Sequence, residues 1–210
     1  MKRVAVIGGG ITGITTAYTL AKRGLDVTVY EKHRYAAMET SFANGGQLSA
    51  SNAEVWNNWQ TIIKGLKWMS RRDAPLLVNP KPSWHKLSWF AEFIAAIPQY
   101  EQNTTETARL AIAARDHLFA WAQNEGIDFD LKKQGILHIF YTESDSTGDI
   151  HKFTNGLAEA ILRLGVKTCY EHSVTELSAD QSHAWVTSFD GEEQTRDTFD
   201  GVVVCAGVGS

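Results

Sequence analysis

The stretch that decides the fold is RVAVIGGGITGITTAYTLAKRGLDVTVYE, which runs from Arg3 to Glu31. Its first five residues are a short, mostly apolar and β-branched run, which predicts a buried strand. After three glycines, apolar residues recur at the spacing of one helix face: Ile14, Ala17, Tyr18 and Ala21. Gly24 ends this helix, and the run from Asp26 to Glu31 predicts a second strand. The stretch is therefore predicted to form one βαβ unit.

The glycines of this unit have the spacing Gly8-x-Gly10-x-x-Gly13. The first glycine allows a tight turn after the strand, the second lets the backbone approach a pyrophosphate, and the third lets the helix pack close to the strand. The free N–H groups at the helix start then face the phosphates. Glu31 ends the second strand, where a carboxylate can accept hydrogen bonds from both hydroxyls of an adenosine ribose. The pattern favours a dinucleotide-binding unit.

Two alternatives remain open at this point. A glycine-rich turn without a ligand would show the same three glycines, although the flanking strands and helix favour the dinucleotide interpretation. The acid at the end of the second strand suits the ribose of either FAD or NAD, and it argues against NADP. The βαβ unit alone does not separate FAD from NAD.

Composition places the chain among ordinary globular proteins. It has 210 residues, 43% of them hydrophobic, and a formal net charge of 20 − 24 = −4. The apolar fraction excludes a disordered tail, and the negative charge argues against a nucleic-acid binder with a basic surface. The length allows one large domain or two small ones.

Several other classes are disfavoured by missing patterns. No secretory signal, membrane-spanning run, metal-ligand motif or nucleophile elbow is present in the sequence. The two cysteines, Cys169 and Cys205, cannot form a disulfide framework and are expected to be inert core residues of a protein from a reducing compartment.

The middle of the chain differs in composition from its two ends. All four prolines lie between Pro75 and Pro98, and six of the seven tryptophans lie between Trp56 and Trp121. We interpret this region as an insertion between two halves of one nucleotide-binding layer.

An amphipathic helix is predicted early in this middle region. Its apolar face has the members Trp59, Ile62, Ile63, Leu66 and Met69, and its basic face has the members Lys64, Lys67 and Arg71. The favoured interpretation is that the apolar face packs on the core and the basic face meets solvent. The alternative is a helix that lies on an anionic membrane surface.

The second half of the chain alternates helices and short strands. A helix is predicted near 104–125, with an apolar stripe formed by Leu110, Ala114, Leu118 and Trp121. A single strand is predicted over Gly135–Tyr141, and its His138 is expected to be structural, because no partner motif accompanies it. Asp149 is expected to cap a further helix, which Gly165 ends.

Short strands are predicted from Val166 onward. They are the run VKTCYE, a run near Ala184 to Phe189 and the run from Gly201 to Ala206. The pair Asp190-Gly191 predicts a hairpin turn.

The segment ETSFANGGQLS, from Glu39 to Ser49, is small, polar and glycine-containing. Such a loop can bring backbone N–H groups and amide side chains against a flat polar ring. From composition alone, a plain surface loop is equally consistent with it.

Here the sequence resembles a known family. The opening GGGITGITTAYTLAKRGLDVTVYEK resembles the first motif of FAD-dependent amine and amino-acid oxidoreductases of the D-amino acid oxidase-like superfamily. The segments ETSFANGGQLS and KWMSRRDAPLLV, with two longer ones over 107–140 and 144–167, resemble the flavin subunit of bacterial D-amino acid dehydrogenases. The resemblance covers most of the chain.

The resemblance implies the fold and the cofactor site. The expected class is α/β, with a Rossmann-like FAD-binding domain of the glutathione-reductase-like, D-amino acid oxidase type and a partial α+β substrate domain. The residues it implies for FAD contact are Gly8, Gly10, Ile11, Thr12, Gly13, Glu31, Lys32, Ser41, Asn44, Gly45, Gly46, Gln47, Val174, Ala206 and Gly207. The loop from Ser41 to Gln47 is expected against the flavin ring, and Val174 against the adenine end. No catalytic side chain and no metal ligand is predicted.

The resemblance also implies a domain division. Residues 1–80 and 141–210 are expected to form a discontinuous FAD-binding domain, and residues 81–140 a partial substrate or cap region. Two departures from the family are noted: a stretch between GILHIF and YTESDSTGD is expected to be missing, and so is the C-terminal half that closes over the flavin and binds the substrate carboxylate. The chain is therefore expected to be a truncated part of a larger flavoenzyme.

The expected activity is oxidative deamination of D-amino acids to 2-oxo acids and ammonia, with electrons passed to a respiratory-type acceptor. The alternatives are a truncated, inactive FAD-binding or nucleotide-binding fragment and an NAD-dependent module. Expected partners are a D-amino acid, an electron acceptor at the membrane and a partner chain that supplies the missing half, with no nucleic acid. The expected location is cytoplasmic, with a peripheral position on the inner face of the cell membrane as the alternative.

Overall fold

The computed structural model of the protein describes residues 1–69, 81–137 and 141–207. The helices are α1 (Ile11–Lys22), α2 (Trp59–Met69), α3 (Trp84–Ala95), α4 (Tyr100–Glu125) and α5 (Ile150–Arg163). The strands are β1 (Arg3–Ile7), β2 (Asp26–Glu31), β3 (Gln47–Leu48), β4 (Ile136–Leu137), β5 (Tyr141–Thr142), β6 (Ser146–Thr147), β7 (Lys167–Tyr170), β8 (Ser173–Ala179), β9 (Ala184–Phe189), β10 (Gln194–Phe199) and β11 (Gly201–Val204). Short 3-10 helices cover Ala50–Asn52 and Ile97–Gln99.

A four-stranded parallel sheet with the order β11-β1-β2-β7 is the centre of the fold. Its strands come from both ends of the chain, as expected for a layer interrupted by a long middle region. The three-stranded antiparallel sheet β10-β9-β8 is separate from it. The βαβ prediction over Arg3–Glu31 is confirmed, and so is the α/β class.

Side chains alternate across a strand, so the parallel sheet presents residues on both of its faces, and both faces are covered by other elements. On one face, the layered core joins the sheet to α1, α5 and the end of α4; we define it by its fully buried members Val6, Ile14, Val29, Phe153 and Leu157. On the other face, a second cluster joins the sheet to β9 and β10 through Ala5, Ile7, Tyr30, Val186 and Phe199. This is why RVAVI reads as a continuous apolar run rather than an alternating one.

Helix ends follow the predicted signals. Asp149 caps α5, since its Oδ1 accepts the Lys152 N–H at 3.0 Å. Gly126 ends α4 in the left-handed region, with φ 66°. The helix predicted near 104–125 begins four residues earlier, and only the end of its predicted stripe is buried: Leu118 is 8% exposed, whereas Leu110 is 70% exposed.

The division into an FAD-binding domain and a cap region stays a prediction.

Three predictions about elements are wrong or incomplete. The single strand over Gly135–Tyr141 is wrong, because β4 and β5 pair antiparallel; His138 lies outside the described residues. The core-facing interpretation of α2 is wrong, because none of its residues is buried, and Arg71 of the predicted basic face lies outside the described residues. Strands β8 and β10 were not predicted, since SVTELSA and QTRDTF are mostly polar and largely exposed. The turn at Asp190-Gly191 between β9 and β10 is confirmed.

Within the described ranges, no helix is both long enough and apolar enough to cross a membrane.

Candidate dinucleotide site

The turn between β1 and α1 requires glycine at two positions. Gly8 has φ 107°, and a Cβ there would lie 2.5 Å from the carbonyl oxygen of Cys205. A Cβ on Gly13 would lie 1.8 Å from the carbonyl oxygen of Gly8. Both distances are far below van der Waals contact, so protein packing alone accounts for these two glycines.

Gly10 is different, because the protein leaves space for a side chain there. A Cβ on Gly10 would meet only the Ser41 Oγ, at 3.5 Å, which is an ordinary contact. Its backbone, with φ −72°, suits any residue. Neither clash nor conformation explains this glycine, whereas close approach of a ligand to the backbone does.

The start of α1 offers donors for an anion. Gly10 is the N-cap and makes no side-chain cap, and the Ile11 N–H donates to the Ser41 Oγ at 3.1 Å. Among the residues that the structure describes, the N–H groups of Thr12 and Gly13 have no hydrogen-bond acceptor. Free N–H groups at a helix N-terminus, together with the helix dipole, form a site for phosphate oxygens.

Glu31 lies at the carboxyl end of β2, beside the glycine turn, and is 8% exposed. Its Oε2 accepts the Gly9 N–H at 2.5 Å, and its Oε1 accepts the backbone N–H of His33 at 2.9 Å and contacts the His33 Nδ1 at 2.7 Å. A carboxylate has about four acceptor positions, so about one remains for a ribose hydroxyl in this arrangement. The sequence indicated the ribose acceptor but did not indicate Gly9 or His33 as its partners.

Lys32, the next residue, pairs with Glu39. The Lys32 Nζ lies 2.8 Å from the Glu39 Oε1, and the His33 Nε2 lies 3.3 Å from the same oxygen. The hydrogen bond from Lys32 holds the pKa of Glu39 below its usual range. Both side chains are exposed, so this pair borders the site rather than building its interior.

The polar loop that follows β2 is tied to the start of α1 at Ser41. The Asn44 side chain bridges the loop, since its Nδ2 donates to the Ser41 carbonyl at 3.1 Å and its Oδ1 accepts the Gly46 N–H at 2.8 Å. Gly45 follows Asn44 and is exposed, and Gln47 begins β3, which pairs with β6. The structure therefore places Ser41 next to the glycine turn, whereas Gly46 and Gln47 contact Gly148 and β6.

The remaining predicted residues border the same edge of the sheet. A Cβ on Gly8 would lie 3.2 Å from the Ala206 Cα, and Gly207 follows with φ 62°. Val174 lies on β8 and packs on the second cluster, two residues after His172, whose N–H donates to the Glu31 carbonyl at 3.0 Å. Ala206 therefore lies at the glycine turn and Val174 on a strand that contacts β2, and their roles in cofactor binding stay predictions.

A buried carboxylate near the polar loop had no signal in the sequence. Asp145 is 0% exposed and accepts hydrogen bonds from Ser49 and Ser51. Only the tertiary structure brings these residues together, because they are separated by 96 and 94 positions.

Two further features concern metal-ligand side chains and the Cys169 thiol. No group of three or more His, Cys, Asp and Glu side chains there could hold a metal ion. Burial raises the pKa of the Cys169 thiol, which makes it a poor nucleophile.

The profile of the family described as FAD dependent oxidoreductase matches residues 3–151, which include the glycine turn, Glu31 and the polar loop. The chain belongs to this family of FAD-dependent oxidoreductases.

Two curated relatives are similar over most or all of the chain. D-amino acid dehydrogenase 3 of Mesorhizobium japonicum is 49% identical over 256 residues, and the D-amino acid dehydrogenase of Dechloromonas aromatica is 31% identical over 231 residues. The alignments cover 100% and 86% of this chain, but only 62% and 55% of those proteins. The first aligned span exceeds this chain by 256 − 210 = 46 residues, so that relative has residues within the aligned region that this chain lacks.

Solved structures show the same fold at low identity. The 3-ketosteroid-delta4-(5alpha)-dehydrogenase from Rhodococcus jostii has a TM-score of 0.55 at 16% identity, over 97% of this chain and 45% of that one. Glycine oxidase from Geobacillus kaustophilus has a TM-score of 0.50 at 16% identity, over 99% and 56%. These likenesses show the fold alone.

The residues present fit FAD. The open space at Gly10, the free N–H groups of Thr12 and Gly13 and the remaining acceptor position of Glu31 are the features that a nucleotide with a pyrophosphate and a ribose requires. Bound FAD supplies the acceptor for the two electrons that the substrate loses.

Proposed function

We propose that this chain is the FAD-binding part of a dehydrogenase that oxidises D-amino acids to 2-oxo acids and ammonia. The substrate loses two electrons, together with one hydrogen from its amine-bearing carbon and one from the amine nitrogen, and water hydrolyses the resulting imino acid to the 2-oxo acid and ammonia. The observation that carries the proposal is the glycine turn in which Gly10 alone has unused space. The names of the relatives support the substrate class.

In this proposal the chain mainly binds and orients the cofactor. The N–H groups of Thr12 and Gly13 hold the pyrophosphate, and Glu31 accepts a hydrogen bond from the adenosine ribose. The loop from Ser41 to Gln47 offers its backbone N–H groups and amide side chains to the polar edge of the flavin ring. Val174 supports the adenine end, and Ala206 and Gly207 border the glycine turn.

Replacement of Gly10 tests the proposal with little cost to the fold. Gly10→Ala places a methyl group in the path of the pyrophosphate but makes only an ordinary contact with Ser41. We expect FAD affinity, measured by quenching of flavin fluorescence, to fall at least about tenfold, while the unfolding midpoint stays unchanged. Gly201→Ala is the matched control, because a Cβ there meets nothing within 4 Å.

The activity and its alternatives are separated by a titration and an assay. The wild-type chain should become yellow with FAD. We expect no turnover from this chain alone, so bleaching of the flavin with D-alanine and electron transfer to an artificial dye would show that it carries the complete activity. A chain that takes up FAD but does not bleach would support the inactive fragment, and tight binding of NAD without flavin would support the NAD-dependent module. A Gly10→Ala variant that binds FAD as tightly as the wild type would contradict the site.

A peripheral contact with an anionic membrane is the corresponding proposal for location. Helices α2 and α3 expose large apolar side chains, with Trp59 61%, Leu66 58% and Trp84 83% exposed, and α2 also carries basic residues. Tryptophan beside lysine suits the boundary between lipid headgroups and acyl chains. Co-sedimentation with vesicles that contain phosphatidylglycerol, but not with pure phosphatidylcholine vesicles, is the expected result. Equal recovery in the supernatant with both vesicles would contradict it.

A further inference from the structure

Asp145 is a buried carboxylate in the turn between β5 and β6. It is 0% exposed, and burying a carboxylate costs free energy unless hydrogen bonds compensate for the lost water. Its Oδ2 accepts the hydroxyl of Ser49 at 2.9 Å and the hydroxyl of Ser51, and its Oδ1 accepts the Ser51 N–H at 3.5 Å. These donors make the buried charge tolerable and fix both serines.

The two serines lie at the end of the polar loop that begins near Glu39. Ser49 directly follows β3, and Ser51 lies in the 3-10 helix Ala50–Asn52. At the other end of the loop, Ser41 accepts the Ile11 N–H. The loop is therefore held at one end by the start of α1 and at the other by Asp145.

The middle of the loop is held by the same neighbouring segment. The Gly148 N–H donates to the Gly46 carbonyl at 2.9 Å, and Leu48 of β3 pairs with Ser146 of β6. Arg115 of α4 donates from Nη1 to the carbonyl of Ser144 at 2.7 Å, so α4 supports the turn that carries Asp145. Most of these bonds form between backbone groups, whereas Asp145 contributes the side chain that fixes the end of the loop.

We propose that Asp145 is a positioning residue for the flavin ring, which sets the loop from Ser41 to Ser49 before the cofactor binds. The inference rests on the proposed function, since the loop's role toward flavin is part of it. A loop that is already ordered binds without an additional entropy cost, so loss of Asp145 should weaken the cofactor complex.

The carboxylate of Asp145 decides which groups donate the hydrogen bonds in this arrangement. A carboxylate only accepts, so both serine hydroxyls must donate to it. Both hydroxyls donate to the same oxygen, Oδ2, so an asparagine with its oxygen at that place still accepts both, while its NH2 group at the place of Oδ1 faces the Ser51 N–H, which is also a donor. Asp145→Asn should therefore have an intermediate effect, and Asp145→Ala a full one.

Hydrogen exchange of the cofactor-free chain tests the ordering step. In Asp145→Ala, the amides from Asn44 to Asn52 should exchange at least about tenfold faster, while the amides of β1 and β2 keep their protection. Asp180→Asn is the matched control, because Asp180 is an exposed carboxylate that accepts the N–H groups of Ser182 and His183 in a distant turn. If Asp145→Ala does not fold, Asp145→Asn and a Ser49→Ala, Ser51→Ala double variant replace it.

Cofactor binding tests the positioning step below the unfolding temperature. We expect the dissociation constant for FAD to rise about tenfold in Asp145→Ala and less in Asp145→Asn, and the fine structure of the bound flavin absorption band to broaden toward that of free FAD. Unchanged exchange of the loop would overturn the inference, as would faster exchange with unchanged FAD affinity and band shape. A wild-type chain that binds no FAD would overturn the proposed function and the flavin role together, while the exchange data would still decide whether Asp145 orders the loop.

Discussion

The layered core and the segment formed by α2 and α3 are both built from amphipathic helices, but they differ in what covers their apolar faces. In the layered core, Ile14, Phe153 and Leu157 are fully buried between helices and the parallel sheet. In α2 and α3 no residue is buried, and Ile63 and Trp89 are each 52% exposed. An apolar stripe therefore indicates that a helix face has a partner surface, but it does not indicate where that surface lies.

The cause of the difference is the sheet. Helices α1 and α5 contact each other and pack on the parallel sheet, so the sheet covers their apolar stripes. Helices α2 and α3 lie in the long middle region, which the parallel sheet does not reach. The proposed membrane contact is one way in which their apolar faces become covered.

The largest expected difference between the two regions concerns stability. Phe153→Ala should lower the free energy of unfolding by about 3–5 kcal/mol, because it leaves a cavity in the layered core. Ile63→Ala, on the exposed face of α2, should stay within about 0.5 kcal/mol. Urea denaturation followed by circular dichroism measures both variants. Equal losses for the two variants would show that the face of α2 is covered in solution.

The next effect sharpens the comparison inside the layered core. Gly13→Ala should cost about 3 kcal/mol, because its Cβ would overlap the Gly8 carbonyl at 1.8 Å and α1 would have to move away from β1. Gly201→Ala is the control, because Gly201 lies in β11 of the parallel sheet and a Cβ there meets nothing within 4 Å. Thermal unfolding of both variants measures the difference, and a Gly13→Ala variant as stable as the control would mean that α1 does not pack this closely.

The smallest effect concerns a polar link between helices of the layered core. Glu125 of α4 accepts the Tyr18 hydroxyl of α1 at 2.7 Å and pairs with Arg163 of α5 at 3.1 Å. The hydrogen bond from Tyr18, with help from Arg163, lowers the pKa of Glu125 below its ordinary value of 4.5. Burial, with the same hydrogen bond, raises the pKa of Tyr18 to about 12.

The sign of the pH dependence follows from the lowered pKa. A carboxyl group whose pKa is lower in the folded state stabilises the fold above its unfolded pKa, and this contribution is lost as the pH falls through the folded value. Glu125→Gln should therefore reduce stability at neutral pH and make its decline below pH 4.5 shallower. Unfolding curves over a series of acidic pH values test this, and parallel declines of wild type and variant would contradict it.

Local sequence signals predicted the elements that depend on local chemistry. The apolar run of β1, the spacing of α1, the cap at Asp149 and the turn at Asp190-Gly191 all appear as expected, because each depends on residues a few positions apart. Strands β8 and β10 escaped prediction because their side chains are mostly polar, and their pairing with β9 is what defines them. The split of Gly135–Tyr141 into β4 and β5 likewise depends on pairing rather than on propensity.

The features of the candidate site likewise divide into those that the sequence indicates and those that only the folded chain brings together. The glycine spacing and Glu31 follow from the sequence, because the turn and the strand end are adjacent in one βαβ unit. The partners of Glu31, the free space at Gly10 and the burial of Asp145 do not, because they depend on segments that meet only in the folded chain.

By itself, the sequence determined the class of this protein: a βαβ unit with a dinucleotide turn, in a chain that resembles FAD-dependent oxidoreductases. The physical reason is that backbone conformation and phosphate contact both depend on residues within one short stretch. Only the tertiary structure decided which apolar faces are buried and which polar groups are paired, as at Asp145 with Ser49 and Ser51. Burial and pairing are properties of what packs around a residue, and the neighbours come from positions far away in the chain.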